Sequence, residues 1–114
     1  MIAHVVLFRP RPNLSDNERR ALVDAWSMAL ASIPAIRRAR VGRRVRIGRS
    51  YEGLTATDLP YAAILEFDDV EGLRAYLDHA AHAPVATQLF AAIEEALIYD
   101  FEMQASADAL GTLA

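Results

Sequence analysis

The 114-residue chain has no cysteine, which excludes disulfides, thiolate metal sites and a cysteine nucleophile. It has no lysine either. All twelve basic residues are arginine, so Schiff-base chemistry is excluded as well. Long apolar runs are also missing. The opening one, Val5 to Phe8, is closed by Arg9 and Pro10 and is too short for a signal peptide. No stretch approaches the roughly 20 apolar residues of a membrane span, so a cytoplasmic chain with no membrane partner is expected. Glycine is scarce, at five residues, and no Gly-x-Gly-x-x-Gly, phosphate loop or Gly-x-Ser-x-Gly elbow occurs.

What is present suits one globular domain. Apolar residues make up 54% and charged residues 24%, and a chain of this length buries roughly two thirds of its unfolded surface. The net charge of −3 is unevenly spread. Residues 1–74 hold twelve arginines against nine acids, whereas residues 75–114 hold six acids and no arginine. Such asymmetry marks either a polyanion contact or complementary surfaces within an assembly. The arginines lie on one face of a strand, with no aromatic platform among them for stacking bases, so no nucleic-acid partner is expected. The acid-rich last strand and tail of one chain are expected to meet the basic face of another.

Periodicity gives the elements. Ile2 to Phe8 alternates like a strand, with Ile2, His4, Val6 and Phe8 on one face and Ala3, Val5 and Leu7 on the other. Ser15 to Glu18 has capping-box spacing, and Leu22, Trp26, Ala29, Leu30 and Ile33 form a helical stripe that Pro34 ends. A strand is expected over Ile36–Ile47, with Arg38, Arg40, Arg44 and Arg46 facing away from Ala39, Val41, Val45 and Ile47. A connection with a short turn at 54–59 leads to a third strand at Tyr61–Phe67. Asp68 and Asp69 can cap a helix with the stripe Val70, Leu73, Tyr76 and Leu77. It is interrupted at His79–Ala83 and resumes at Pro84 with Val85, Leu89, Ile93 and Leu97. The last strand is expected at Ile98–Met103, within a domain spanning 1–103, followed by a tail at 104–114.

The order βαββαβ is that of an α+β, ferredoxin-like protomer, whose helices cover one sheet face only. The bare face would expose too much apolar surface for a monomer, so a homodimer is expected, sheet against sheet, as an α/β barrel.

Few residues can do chemistry. His79 and His82 stand at i, i+3, but two ligands do not make a metal site, and no metal is expected. His79 alone suits the end of a helix, where its cationic form meets the C-terminal dipole. His4 is mid-strand among apolar neighbours, so it must be buried and needs a partner. Tyr76 lies in a helix stripe, which by itself is a core position. The paired carboxylates Glu94 and Glu95 diverge around a helix and do not form an acid–base pair.

His4-Val5-Val6-Leu7-Phe8, Val41-Gly42-Arg43, Tyr76-Leu77-Asp78-His79-Ala80-Ala81-His82 and Ile98-Tyr99-Asp100-Phe101 together resemble the stress-responsive dimeric α/β barrel family, Dabb, over residues 2–103. His79-Ala80-Ala81-His82 departs from the usual His-Pro-x-His. The resemblance implies a homodimeric ferredoxin-like barrel. In its olivetolic acid cyclase-like branch, which closes polyketides by aldol condensation without a cofactor, the positions matching His4, Tyr76 and His82 are the working groups. It therefore implies His82 as base, with Tyr76 and His4 assisting, no cofactor, and a pocket for a small apolar or phenolic ligand. His79, Trp26, Val6, Phe8 and Phe90 are the candidate ligand-lining residues. Two other readings stand beside this cyclase or lyase. One is a non-catalytic, stress-related or ligand-binding dimer; the other is a barrel similar to cofactor-independent monooxygenases.

Overall fold

The computed structural model of the chain describes residues 1–112. Its elements run β1 (Ile2–Pro10), α1 (Asp16–Ser32), β2 (Arg38–Arg43), β3 (Tyr61–Phe67), α2 (Val70–Asp78), α3 (His82–Ala92) and β4 (Ile93–Glu102). The four strands form one antiparallel sheet in the order β2-β3-β1-β4, a ferredoxin-like α+β fold. β1 is therefore central and receives partners on both edges.

Alternation along the strands decides which side chains face the helices. Ile2, His4, Val6 and Phe8 of β1 point into the core, as do Ala63, Leu65 and Phe67 of β3. Against them pack Ala25, Trp26, Ala29 and Ile33 of α1, Leu73 and Tyr76 of α2, and Val85 and Leu89 of α3. Each large apolar side chain sealed here contributes about 1.5–3 kcal/mol through loss of water contact. The other sheet face has no helix over it. Ile64, Leu97, Tyr99 and Phe101 are exposed there, beside half-buried Val5 and Leu7.

Several boundaries differ from the sequence expectation, those of β2 and β4 for tertiary reasons. β2 stops at Arg43 instead of reaching Ile47, because its partner β3 starts at Tyr61. Arg44 N–H still bonds the Pro60 carbonyl at 2.8 Å, but Pro60 has no N–H to return, and the ladder ends. The last helix ends at Ala92 rather than continuing through Leu97, and β4 begins at Ile93. The far end of β1 captures that segment, pairing Phe8 with Ala96 and Arg9 with Glu95, so the helical spacing of Ile93 and Leu97 is coincidental. Between α2 and α3 only three residues are non-helical, and Pro84 is the third residue of α3, not the first. The connection between β2 and β3 holds its short 3-10 turn at Ser50–Leu54, ahead of the expected 54–59.

The acids of β4 are also placed differently from the charge-pairing expectation. Glu94 and Glu95 bond Arg9 of the same chain at 3.0 and 2.9 Å, and Asp100 bonds His4, so these three are engaged without a second copy. Of the expected tail, 107–112 forms a 3-10 turn, and residues 113 and 114 lie outside the described residues.

The capping box at α1 is fully formed. Glu18 N–H donates to Ser15 Oγ at 3.1 Å, and Ser15 N–H donates to Glu18 Oε1 at 3.2 Å. Ser15→Ala is expected to cost about 1 kcal/mol, lowering the thermal midpoint by about 4 °C in a calorimetric melt.

Candidate functional site

His4 is the single buried polar residue in the described core, and the β1–β4 register places Asp100 directly across from it. His4 Nδ1–H donates to Asp100 Oδ1 at 2.5 Å. The carboxylate thus fixes the ring orientation. Asp100 remains half-exposed, so the pair sits at the margin of the core.

Tyr76 comes from the buried face of α2, one turn beyond Leu73. Its ring centroid lies 5.9 Å from His4, 5.4 Å from Phe67 and 4.7 Å from His82, the last edge-on at 66°. At 1% exposure, burial pushes its phenol up to about 12, so it stays a neutral donor. Its hydroxyl makes no hydrogen bond among the described residues, yet no fully buried polar side-chain atom there lacks a partner.

His82 opens α3 and is half-buried. Burial holds its imidazole below the ordinary value, and the nearby His4 lowers it further, while a hydrogen bond to the Leu77 backbone works the other way. At neutral pH it is uncharged and basic. Three groups drawn from β1, α2 and α3 thus converge: a carboxylate-oriented imidazole, a neutral phenol and a second imidazole hydrogen-bonded to the Leu77 backbone.

His79 caps the end of α2, and its Nδ1 accepts from Ala81 N–H at 3.0 Å, which shapes the turn into α3. Among the described residues no group of three or more His, Asp or Glu is placed to hold a metal ion. Phe8 and Trp26 line an open groove of about 630 Å³ between α1 and the sheet, with Leu22, Leu30, Tyr61 and Ala63. Its rim arginines are all paired: Arg9 with Glu94 and Glu95, Arg11 with Glu18, and Arg19 with Asp16. An uncharged, apolar guest suits such walls. Phe8 lies four residues along β1 from His4, about 13 Å away, with buried Val6 between them. Phe90 is 66% exposed on α3 and does not line this groove. Nor do His4, Tyr76 and His82, so groove and cluster are separate compartments on one face of β1.

Asp100 is the residue that sequence reasoning left without a role. Alternation put it opposite Tyr99 and Phe101, but only the strand register brings it onto His4. The depressed His82 has a consequence for stability. Below its ordinary value the unfolded chain takes up a proton that the folded site resists, so stability is retained at neutral pH and lost as pH falls. Urea midpoints are expected to drop between about pH 7.5 and about pH 5.5, and His82→Gln to flatten that drop.

The Dabb family profile, described as the Stress responsive A/B Barrel Domain, matches residues 2–103. No curated protein matches the chain in sequence. A dimeric ferredoxin-like protein of unknown function from Thermobifida fusca is similar at 24% identity and a TM-score of 0.69, covering 90% of each chain. The hydroxynitrile lyase of Passiflora edulis superposes with a TM-score of 0.77 at 14% identity, over 92% of this chain and 94% of its own. A cofactor-independent oxygenase from Streptomyces nogalater does so at 0.65 and 18%, over 93% and 95%. With the profile spanning nearly its whole length, the chain belongs to the Dabb, or stress responsive A/B barrel, family.

Proposed function

We propose that the chain is a homodimer performing cofactor-free acid–base chemistry on a small, largely apolar or phenolic carbonyl compound, of the polyketide cyclase or aldol type. The observation that carries this reading is the convergence of His4, Tyr76 and His82. His82 takes a carbon-bound proton beside the carbonyl, and the electron pair moves onto the carbonyl oxygen. The neutral Tyr76 hydroxyl donates to that oxygen as its charge develops. For ring closure, the enolate carbon attacks a second carbonyl carbon, and the new alkoxide recovers the proton from His82. His4, held by Asp100, orients the pair and acts as a positioning residue.

The dimer follows from the bare sheet face, where Ile64, Leu97, Tyr99 and Phe101 make an apolar surface that a lone soluble chain rarely leaves uncovered. The dimeric relative is in keeping with it. The hydroxynitrile lyase and the oxygenase among the similar structures indicate that this fold hosts enzymes.

A second reading has its own observation. Tyr76 is 1% exposed, and the groove does not reach it, which favours a non-catalytic dimer whose His and Tyr groups stabilise the core. The two separate in one experiment, α-proton exchange of an aryl or alkyl 1,3-diketone in D2O followed by NMR. The enzyme reading expects exchange above buffer, reduced about 100-fold or more in His82→Ala and about tenfold in Asp100→Asn, with melting temperatures little changed. Exchange no faster than buffer, with His82→Ala losing stability alone, gives the second reading. For the assembly, sedimentation is expected to report a dimer for the wild type and monomers for Phe101→Glu, since a carboxylate buried in that face has no partner.

A further inference from the structure

The turn that joins α2 to α3 is three residues long, His79, Ala80 and Ala81, and it delivers His82 to the site as the first residue of α3. A first helical residue is where a helix frays most easily, because the N–H groups of the opening turn have no partner within the helix. α3 has no side-chain cap of its own. Ala81 occupies the N-cap position, and no side-chain hydrogen bond is made there. By contrast, α1 and α2 open on Ser15 and Asp69, whose side chains accept from Glu18 N–H and Gly72 N–H.

His79 makes the bonds that Ala81 cannot. Its backbone N–H donates to the Tyr76 carbonyl at 3.2 Å, and its carbonyl accepts from His82 N–H at 2.9 Å. Its ring Nδ1 accepts from Ala81 N–H at 3.0 Å. A side-chain acceptor on the N–H two residues ahead is the pattern of an Asx turn, here made by an imidazole. The three bonds thus run from Tyr76 through His79 to the start of α3, and so link the two residues whose rings meet edge-on at 4.7 Å. His82 folds back the same way, with its ring hydrogen-bonded to the Leu77 backbone. His79 itself takes no part in the ring contacts that join His4, Tyr76 and His82.

We propose that His79 is a second positioning residue of the site: its Nδ1 and backbone fix where the His82 imidazole stands against Tyr76, and it exchanges no proton with the substrate. The placement stands on the hydrogen bonds alone, whereas its effect on turnover rests on the acid–base reading of His82. Misplacing a reacting group by about 1 Å slows a step by roughly 10–100-fold, so a loosened turn shows in the rate.

Asparagine and glutamine separate the two nitrogens of the His79 ring, because an Asn oxygen stands where Nδ1 does and a Gln amide reaches where Nε2 does. Turnover is read as α-proton exchange of an aryl 1,3-diketone in D2O. The placement of His82 is read from its ring 1H–13C signals and its NOE to the Tyr76 ring in the ligand-free protein. His79→Asn is expected to keep exchange within about twofold of wild type and to leave the His82 signals in place, since Asn forms the same turn. His79→Gln and His79→Ala are expected to lose about tenfold in maximal rate with KM little changed, to shift the His82 signals and to weaken the NOE. Should His79→Ala fail to fold, His79→Gln carries the comparison. Exchange as slow in Asn as in Ala, full exchange in Ala, Gln faster than Asn (which puts Nε2 on the substrate), or His82 signals unmoved in Gln and Ala would each overturn the proposal. If the wild type exchanges no faster than buffer, the acid–base reading fails, and the His82 spectra alone decide the placement by His79.

Discussion

β1 is hydrogen-bonded along both edges, to β3 from Ile2 to Phe8 and to β4 from Ile2 to Pro10, and this double pairing governs what the rest of the chain can do. A strand paired on both sides cannot slip by one residue without turning its entire core set outward. With β1 locked, β3 brings Ala63, Leu65 and Phe67 to the helix side, and β4 brings Asp100 onto His4. The helices then have one surface to cover, and α1, α2 and α3 cover it with Trp26, Tyr76 and Val85 among others.

The polar cluster is possible only because that constraint is so strict. A histidine in the middle of an apolar face costs stability unless its N–H is satisfied, and the β1–β4 register satisfies it with a carboxylate at the margin of the core. Tyr76 and His82 then lie against a ring that is already fixed. Burial keeps the phenol neutral and the second imidazole uncharged, which are the protonation states acid–base work requires at neutral pH. The same burial serves a structural core equally well, and for that reason access to substrate, and not the identity of the groups, separates the two readings.

The sheet divides the molecule into two chemical environments. On the helix side lie the His–Tyr cluster and an apolar groove with a charge-balanced rim. On the bare side lies an apolar surface suited to a second copy. The uneven charge of the sequence resolves into local features this way. Glu94, Glu95 and Asp100 are consumed by contacts within the chain.

Alternation, helical stripes and local spacing in the sequence determined the element order, the ferredoxin-like class and the capping box at Ser15, because each depends on residues near one another in the chain. Alternation singled out His4 as a histidine in an apolar strand, while only the family resemblance singled out Tyr76 and His82 with it. Where β2 and β4 end could not be read locally. Val45 and Ile47 alternate as well as Val41, but the partner strand has run out; Ile93 and Leu97 suit a helix, but β1 had edge left to fill. The role of Asp100 and the separation of the groove from the cluster were decided by tertiary structure alone. Each depends on which residues of distant segments lie opposite one another, and strand register is set by the packing of the whole sheet.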